Sequence, residues 1–141
     1  MSALSYQVGG GHYVKYPIQP NHFVAANNWD AFAQNILKYL VRWRDKHGPL
    51  DLDKALQYAH QRIELRMEFH RHHDDGRPSI SMNTFIRENG IDPEMEPVLL
   101  ALELWVMSSG NSHNIRSLFV TTLEAYIEFC NAPEDSLFPQ D

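Results

Sequence analysis

The chain carries one pattern twice, 62 residues apart and without a gap. Ile18, Asn21, Phe23, Asn27, Asp30, Leu37, Leu40, Trp43 and Gly48 recur as Ile80, Asn83, Phe85, Asn89, Asp92, Leu99, Leu102, Trp105 and Gly110. A repeat of this kind constrains the fold before any local signal does, because each copy has to bury its apolar face against its neighbour. The copies differ in charge. The first holds Lys38, Arg42, Arg44 and Lys46 where the second holds Leu100, Leu104, Val106 and Ser108.

Within each copy the apolar residues recur at helical spacing. Phe32, Ile36, Tyr39, Leu40 and Trp43 form one stripe, which predicts a helix over about 30–47 that stops at Gly48-Pro49. Leu52, Ala55, Leu56, Ala59, Ile63 and Met67 form a second stripe, with Asp51 as its expected N-cap and an end near residue 70. A short helical turn precedes both, over 21–27. In the second copy the pattern predicts a short helix over 82–89 capped by Gly90. A helix opened by Pro93 then runs to about Met107, and a last stripe carries Ile115, Leu118, Phe119, Thr122 and Tyr126. The expected fold is all-α: a tandem duplicated helical hairpin with four long helices, short helical turns and an irregular N-terminal arm. The expected segments are a Gly-rich arm (1–17), a first repeat (18–71), a linker (72–79), a second repeat (80–130) and a mobile tail (131–141).

Composition narrows the function classes. At 141 residues and 43% hydrophobic content the chain has enough apolar material for one core. No apolar run approaches the ~18 residues that a membrane span requires, and the N-terminus has no basic-then-apolar leader. Cys130 is the single cysteine, which fits a reducing cytoplasm and excludes a thiolate-rich zinc site within one chain. The net charge of −6 is uneven. Residues 1–78 carry ten Lys/Arg against eight Asp/Glu, net +2; residues 79–141 carry two against ten, net −8. Extended nucleic-acid binding needs a broad basic surface, which this distribution does not provide. A local anion site in the first copy is compatible with it.

Asn35, Lys38 and Arg42 lie three and four residues apart, and Lys46 extends the same helix face. On the next helix Lys54, Tyr58 and Arg62 are spaced by four. Two basic ridges on one hairpin can converge on a phosphate, Arg as a fork and Lys as a point charge. Tyr39, Trp43 or Tyr58 would stack a base. The competing reading is a solvated helix face whose charges are balanced by Asp45, Asp51 and Asp53. Gly9-Gly10-Gly11-His12-Tyr13 offers consecutive backbone N–H groups to an anion, but no GK[ST] follows, so it is not a Walker motif; a flexible arm is the simpler reading. His70, His72, His73, Asp74 and Asp75 have the composition of metal ligands but sit in the linker without a spaced partner set, so no metal site is expected. Glu64 and Glu68 form one acidic pair, whereas all-helical pyrophosphohydrolases need two such clusters around magnesium.

Several of these stretches occur together at fixed spacing: Gly9-Gly10-Gly11-His12-Tyr13, Pro17-Ile18-Gln19-Pro20, Asn35-Ile36-Leu37-Lys38-Tyr39, Arg42, Lys46, Gly48, Asp51-Leu52-Asp53-Lys54-Ala55 and Tyr58. In this the chain resembles, over about residues 9–64, a family of small tailed-phage proteins, many of unknown function. One branch of that family is the phage deoxynucleoside monophosphate kinase that lacks a P-loop. Gln34 stands where the family usually has Gly, and the kinase's additional sequence has no counterpart here. The resemblance implies nucleotide contacts at His12, Tyr13, Gln19, Asn35, Lys38, Tyr39, Arg42, Lys46, Asp51, Lys54 and Tyr58. Lys38, Arg42 and His12 take the catalytic roles if phosphate is transferred, with ATP as donor, with or without Mg. It also implies a bacteriophage protein acting in the host cytoplasm.

Two functions follow as expectations. The first is a nucleotide-metabolism protein that binds a deoxynucleotide and acts as a nucleotide kinase. The second is a non-enzymatic phage protein that binds and modulates a host protein through its acidic second half. Under either, aromatic and apolar stripes on several faces predict a homo-oligomer, with the second copy supplying the interface.

Overall fold

A computed structural model describes residues 15–65, 79–108 and 113–131, and among them all regular structure is helical. The order is short, long, long, repeated: α1 (Pro20–Asn27), α2 (Ala31–Arg42), α3 (Pro49–Glu64), then α4 (Met82–Asn89), α5 (Glu96–Met107), α6 (His113–Asn131). The duplicated-hairpin reading is compatible with this order. α2 packs along α3, α5 along α6, and α3 against α6, so the two hairpins share one core. Phe23, Ile36, Leu37, Leu52, Phe85, Leu99 and Phe119 fill it, all fully buried.

The repeat is visible in how the halves are joined. Phe23 and its counterpart Phe85 face each other with ring centroids 5.0 Å apart. Asn27 Oδ1 accepts the Ile80 N–H at 3.2 Å, and its amide donates to the Phe23 carbonyl. The counterpart Asn89 accepts the Ile18 N–H at 3.0 Å and donates to the Ile18 carbonyl at 2.7 Å. Each copy's Asn therefore holds the segment that leads into the other copy. Asn89→Ala is expected to cost about 1–3 kcal/mol, because it strands a backbone donor and an acceptor at once; urea denaturation measures it.

Several boundaries differ from expectation. α2 ends at Arg42, short of residue 47. The next six residues tighten and then open, with Asp45 N–H bonded to Arg42 O and Gly48 N–H to Trp43 O. Gly48 at φ +62 reverses the chain and is itself the N-cap of α3, with Pro49 in the first turn. Asp51 is thus not the N-cap but lies inside the first turn. α3 ends at Glu64; its expected extension toward residue 70, Met67 included, lies outside the described residues. α4 begins and ends where expected, with Ser81 Oγ accepting the Thr84 N–H and Gly90 closing it at φ +62. Pro93 does not open α5. It begins a turn, and Pro97 supplies the first-turn proline instead. The arm, linker and tail lie largely outside the described residues. Among the described residues no helix is long and apolar enough to cross a membrane.

Candidate functional site

The first-copy hairpin gathers most of the sequence-predicted residues on one side. Asp30 caps α2 by accepting the Ala33 N–H at 2.9 Å, and the helix then presents Lys38, Tyr39, Arg42 and, beyond its end, Lys46. α3 runs back beside it and presents Lys54 and Tyr58. The rings of Tyr39 and Tyr58 stack at 5.8 Å with an interplanar angle of 18°. Phe32 meets Tyr58 edge-on at 6.3 Å. Cations flank this pair: the Arg42 guanidinium lies 4.6 Å from the Tyr39 centroid and Lys54 Nζ 5.6 Å from it. Such contacts orient a cation without neutralising it.

Asp51 lies beneath the cluster and is fully buried. Its two oxygens face Arg42 Nε at 3.5 Å and His47 Nδ1 at 3.2 Å. The Arg42 contact is ionic rather than a hydrogen bond, so Arg42 Nε and Asp51 Oδ2 are both buried without a hydrogen-bond partner. Asp51 therefore holds Arg42 from behind while leaving hydrogen-bonding capacity unspent. His47 carried no signal in the sequence, because its role depends on the turn that sets it four residues before a buried carboxylate.

Lys38 sits half-buried among like charges. Half-burial lowers its pKa first, and the positive charges of Arg42 and Lys46 lower it further. Among the described residues no carboxylate offsets that repulsion. Of the expected balancing acids, Asp51 faces Arg42, whereas Asp45 pairs with Lys15 instead.

The remaining residues divide. Asn35 is half-buried on α2, one turn before Lys38. Gln19 caps α1 through its backbone, accepting the Phe23 N–H at 3.0 Å. His12 and Tyr13 lie outside the described residues, as do His70 to Asp75. Arg62 does not join the second ridge. It is 2% exposed and donates through Nε and Nη2 to Asp30 Oδ2 at 3.2 and 2.9 Å, with its guanidinium 4.5 Å from the Trp105 centroid. Trp43 does not face the tyrosine pair; it meets Tyr126 edge-on at 6.0 Å on another side of α2.

That other side forms a polar cleft of about 310 Å³ where α2 meets the turn between α4 and α5. Lys15, Tyr16, Trp43, Arg44, Asp92 and Tyr126 line it. Its charges are matched in pairs, Lys15 with Asp45 and Arg44 with Asp92 at 3.0 Å. The Tyr16 hydroxyl donates to the Val41 carbonyl at 3.3 Å, which ties the described start of the chain to the end of α2.

The chain matches no family model, no curated protein and no solved structure. Three cations on one face, a stacked tyrosine pair beside them and a buried carboxylate behind the central arginine can hold a phosphate against an aromatic surface. Among the described residues no group of three or more His, Cys, Asp or Glu side chains is arranged to hold a metal ion.

Proposed function

We propose that the protein binds a deoxynucleotide on the α2–α3 face of its first copy, as a phage nucleotide-metabolism protein of the deoxynucleoside monophosphate kinase type. The observation that carries this reading is the gathering of cations around the stacked Tyr39–Tyr58 pair, with the Arg42 guanidinium 4.6 Å and Lys54 Nζ 5.6 Å from the Tyr39 centroid and Lys38 beside Arg42 and Lys46. A phosphate supplies a counter-charge to them. Lys38, Arg42 and Lys46 contact the phosphate, and Lys54 takes a second oxygen from the α3 side. Tyr39 and Tyr58 offer the base or sugar an aromatic wall. Asp51 positions Arg42 rather than touching the ligand. In transfer, an oxygen of the monophosphate attacks the γ-phosphorus of ATP. The bond to the bridging oxygen breaks, and ADP leaves with that electron pair. Positioning and charge neutralisation supply most of the rate in such reactions, and these are what lysine and arginine side chains provide.

Titration calorimetry of the full chain with dTMP, dGMP and ATP tests the reading. The expected result is saturable binding of at least one, weakened by added salt as a site built on charge must be. Absence of binding heat with all three, together with no rise in melting temperature in their presence, would contradict it.

A further inference from the structure

The turn between α2 and α3 sets a histidine beside the basic face. His47 stands four residues before Asp51, and its side chain is 44% exposed. Asp51 is fully buried, and its two oxygens are divided between neighbours: Oδ1 lies 3.2 Å from His47 Nδ1 and Oδ2 lies 3.5 Å from Arg42 Nε. Imidazole and guanidinium therefore sit side by side on one carboxylate. The Arg42 guanidinium in turn lies over Tyr39, with Lys54 Nζ near the same ring. The imidazole thus stands at the end of the row of cations that flanks the tyrosine pair.

The carboxylate fixes which nitrogen carries the hydrogen. Asp51 Oδ1 accepts, so Nδ1 is the donor, and Nε2 is left at the end of the ring away from the buried acid. A histidine without such a partner can place its one hydrogen on either nitrogen. His47 cannot do so without losing Asp51. Its Nε2 therefore has two states, an N–H donor in the imidazolium and a bare lone pair in the neutral ring. Toward a phosphate oxygen the first attracts and the second repels. Among the described residues, Asp51 from α3 and Arg42 from α2 are the charged groups gathered at this ring. In its own turn Asp45 is paired with Lys15, and Lys46 acts on Lys38.

We infer that His47 is a proton-gated contact for an oxyanion on the α2–α3 face: its imidazolium Nε2–H donates to a phosphate or sulfate oxygen while Nδ1–H stays on Asp51. This rests on the reading of that face as a phosphate site. Asp51 then has two tasks, holding Arg42 from behind and setting the tautomer of His47. Rising pH removes the Nε2 proton and turns a lone pair toward the anion, so affinity falls. By linkage, arrival of the anion takes up a proton. This step lies below the alkaline range in which Lys38 loses its charge, so the two do not overlap. The competing role is a tie that only closes the turn before α3. Such a tie uses Nδ1 alone and has no need of Nε2.

Sulfate is the probe, because its charge is constant over about pH 5–8, where histidine is the side chain that ordinarily changes charge. Titration calorimetry of the full chain with sulfate at fixed ionic strength should show affinity falling about tenfold across that range, the scale of one charge-assisted hydrogen bond. Proton uptake is read from how the heat depends on the buffer. His47→Asn keeps a donor where Nδ1 stands and has nothing at Nε2. It should melt at the wild-type temperature, bind sulfate weakly at every pH and take up no proton. His47→Gln, which carries an amide N–H near the place of Nε2, should bind without a pH step. His60→Asn, a control at an exposed position on α3, should keep the step. A step that survives both His47 variants would overturn the inference. So would wild-type affinity that is flat over this range, or no sulfate binding at either end of it. A His47-dependent sulfate step without binding of dTMP, dGMP or ATP would support this inference and contradict the nucleotide reading. Nucleotide binding without a sulfate step would do the reverse.

Discussion

Arg62→Ala should lose about 3–5 kcal/mol of stability, the cost of removing one partner from a buried ion pair. Three consequences coincide at this residue. Asp30 is left in a site where its side chain is 10% exposed, without the two hydrogen bonds from Nε and Nη2. The same carboxylate caps α2, so its strain is passed to the helix that carries Lys38 and Arg42. The face of Trp105 loses the guanidinium 4.5 Å from its centroid, beside a ring that also stacks on Phe119 at 5.4 Å. Urea denaturation followed by circular dichroism measures the loss. A change under about 1 kcal/mol, the scale of exposed ion pairs, would show that the pair is not buried as described. Arg62→Met keeps the apolar stem and should recover part of the packing while still stranding Asp30.

Lys38→Met should have the opposite profile: ligand affinity falls by about 10–100-fold, the scale of one charge-assisted hydrogen bond, while the stability of the free protein does not fall. The sign follows from the direction of the shift. Lys38 has a lower pKa folded than unfolded, so folding disfavours its proton. At neutral pH the charge costs stability, and that cost is relieved as pH rises through the lowered pKa toward the ordinary lysine value. Removing the charge removes the cost. The variant should therefore match or exceed wild type in urea at neutral pH, and the gap should close in alkali. Affinity of the wild type for a phosphate ligand should fall over the same alkaline range, as Lys38 loses its proton. A variant that is less stable and binds the nucleotide normally would assign Lys38 to the solvated face instead.

The sequence was most legible where one residue type has one use. Gly90 marks the end of α4 because a left-handed glycine has few alternatives there. It was less legible where two residues compete for one role. Pro93 and Pro97 both suit a first turn, and tertiary packing selects the second. Asp51 has the identity of a cap, but Gly48 takes that position and Asp51 turns inward to Arg42 and His47. The second basic ridge failed for a geometric reason. Steps of four drift by about 40° around a helix, so Lys54 and Tyr58 stay at the rim while Arg62 has rotated into the core. The exchange between Asn27–Ile80 and Asn89–Ile18 was present in the repeat but has no local signature. It is a property of how two copies meet.

We propose that the first copy binds nucleotide phosphate on its basic α2–α3 face, and a crystal of the full chain soaked with dTMP or dGMP would show it. The expected result is phosphate density within hydrogen-bonding distance of Lys38, Arg42 and Lys46, with the nucleoside against Tyr39 and Tyr58. Nucleotide bound elsewhere, with that face carrying only water, would contradict it.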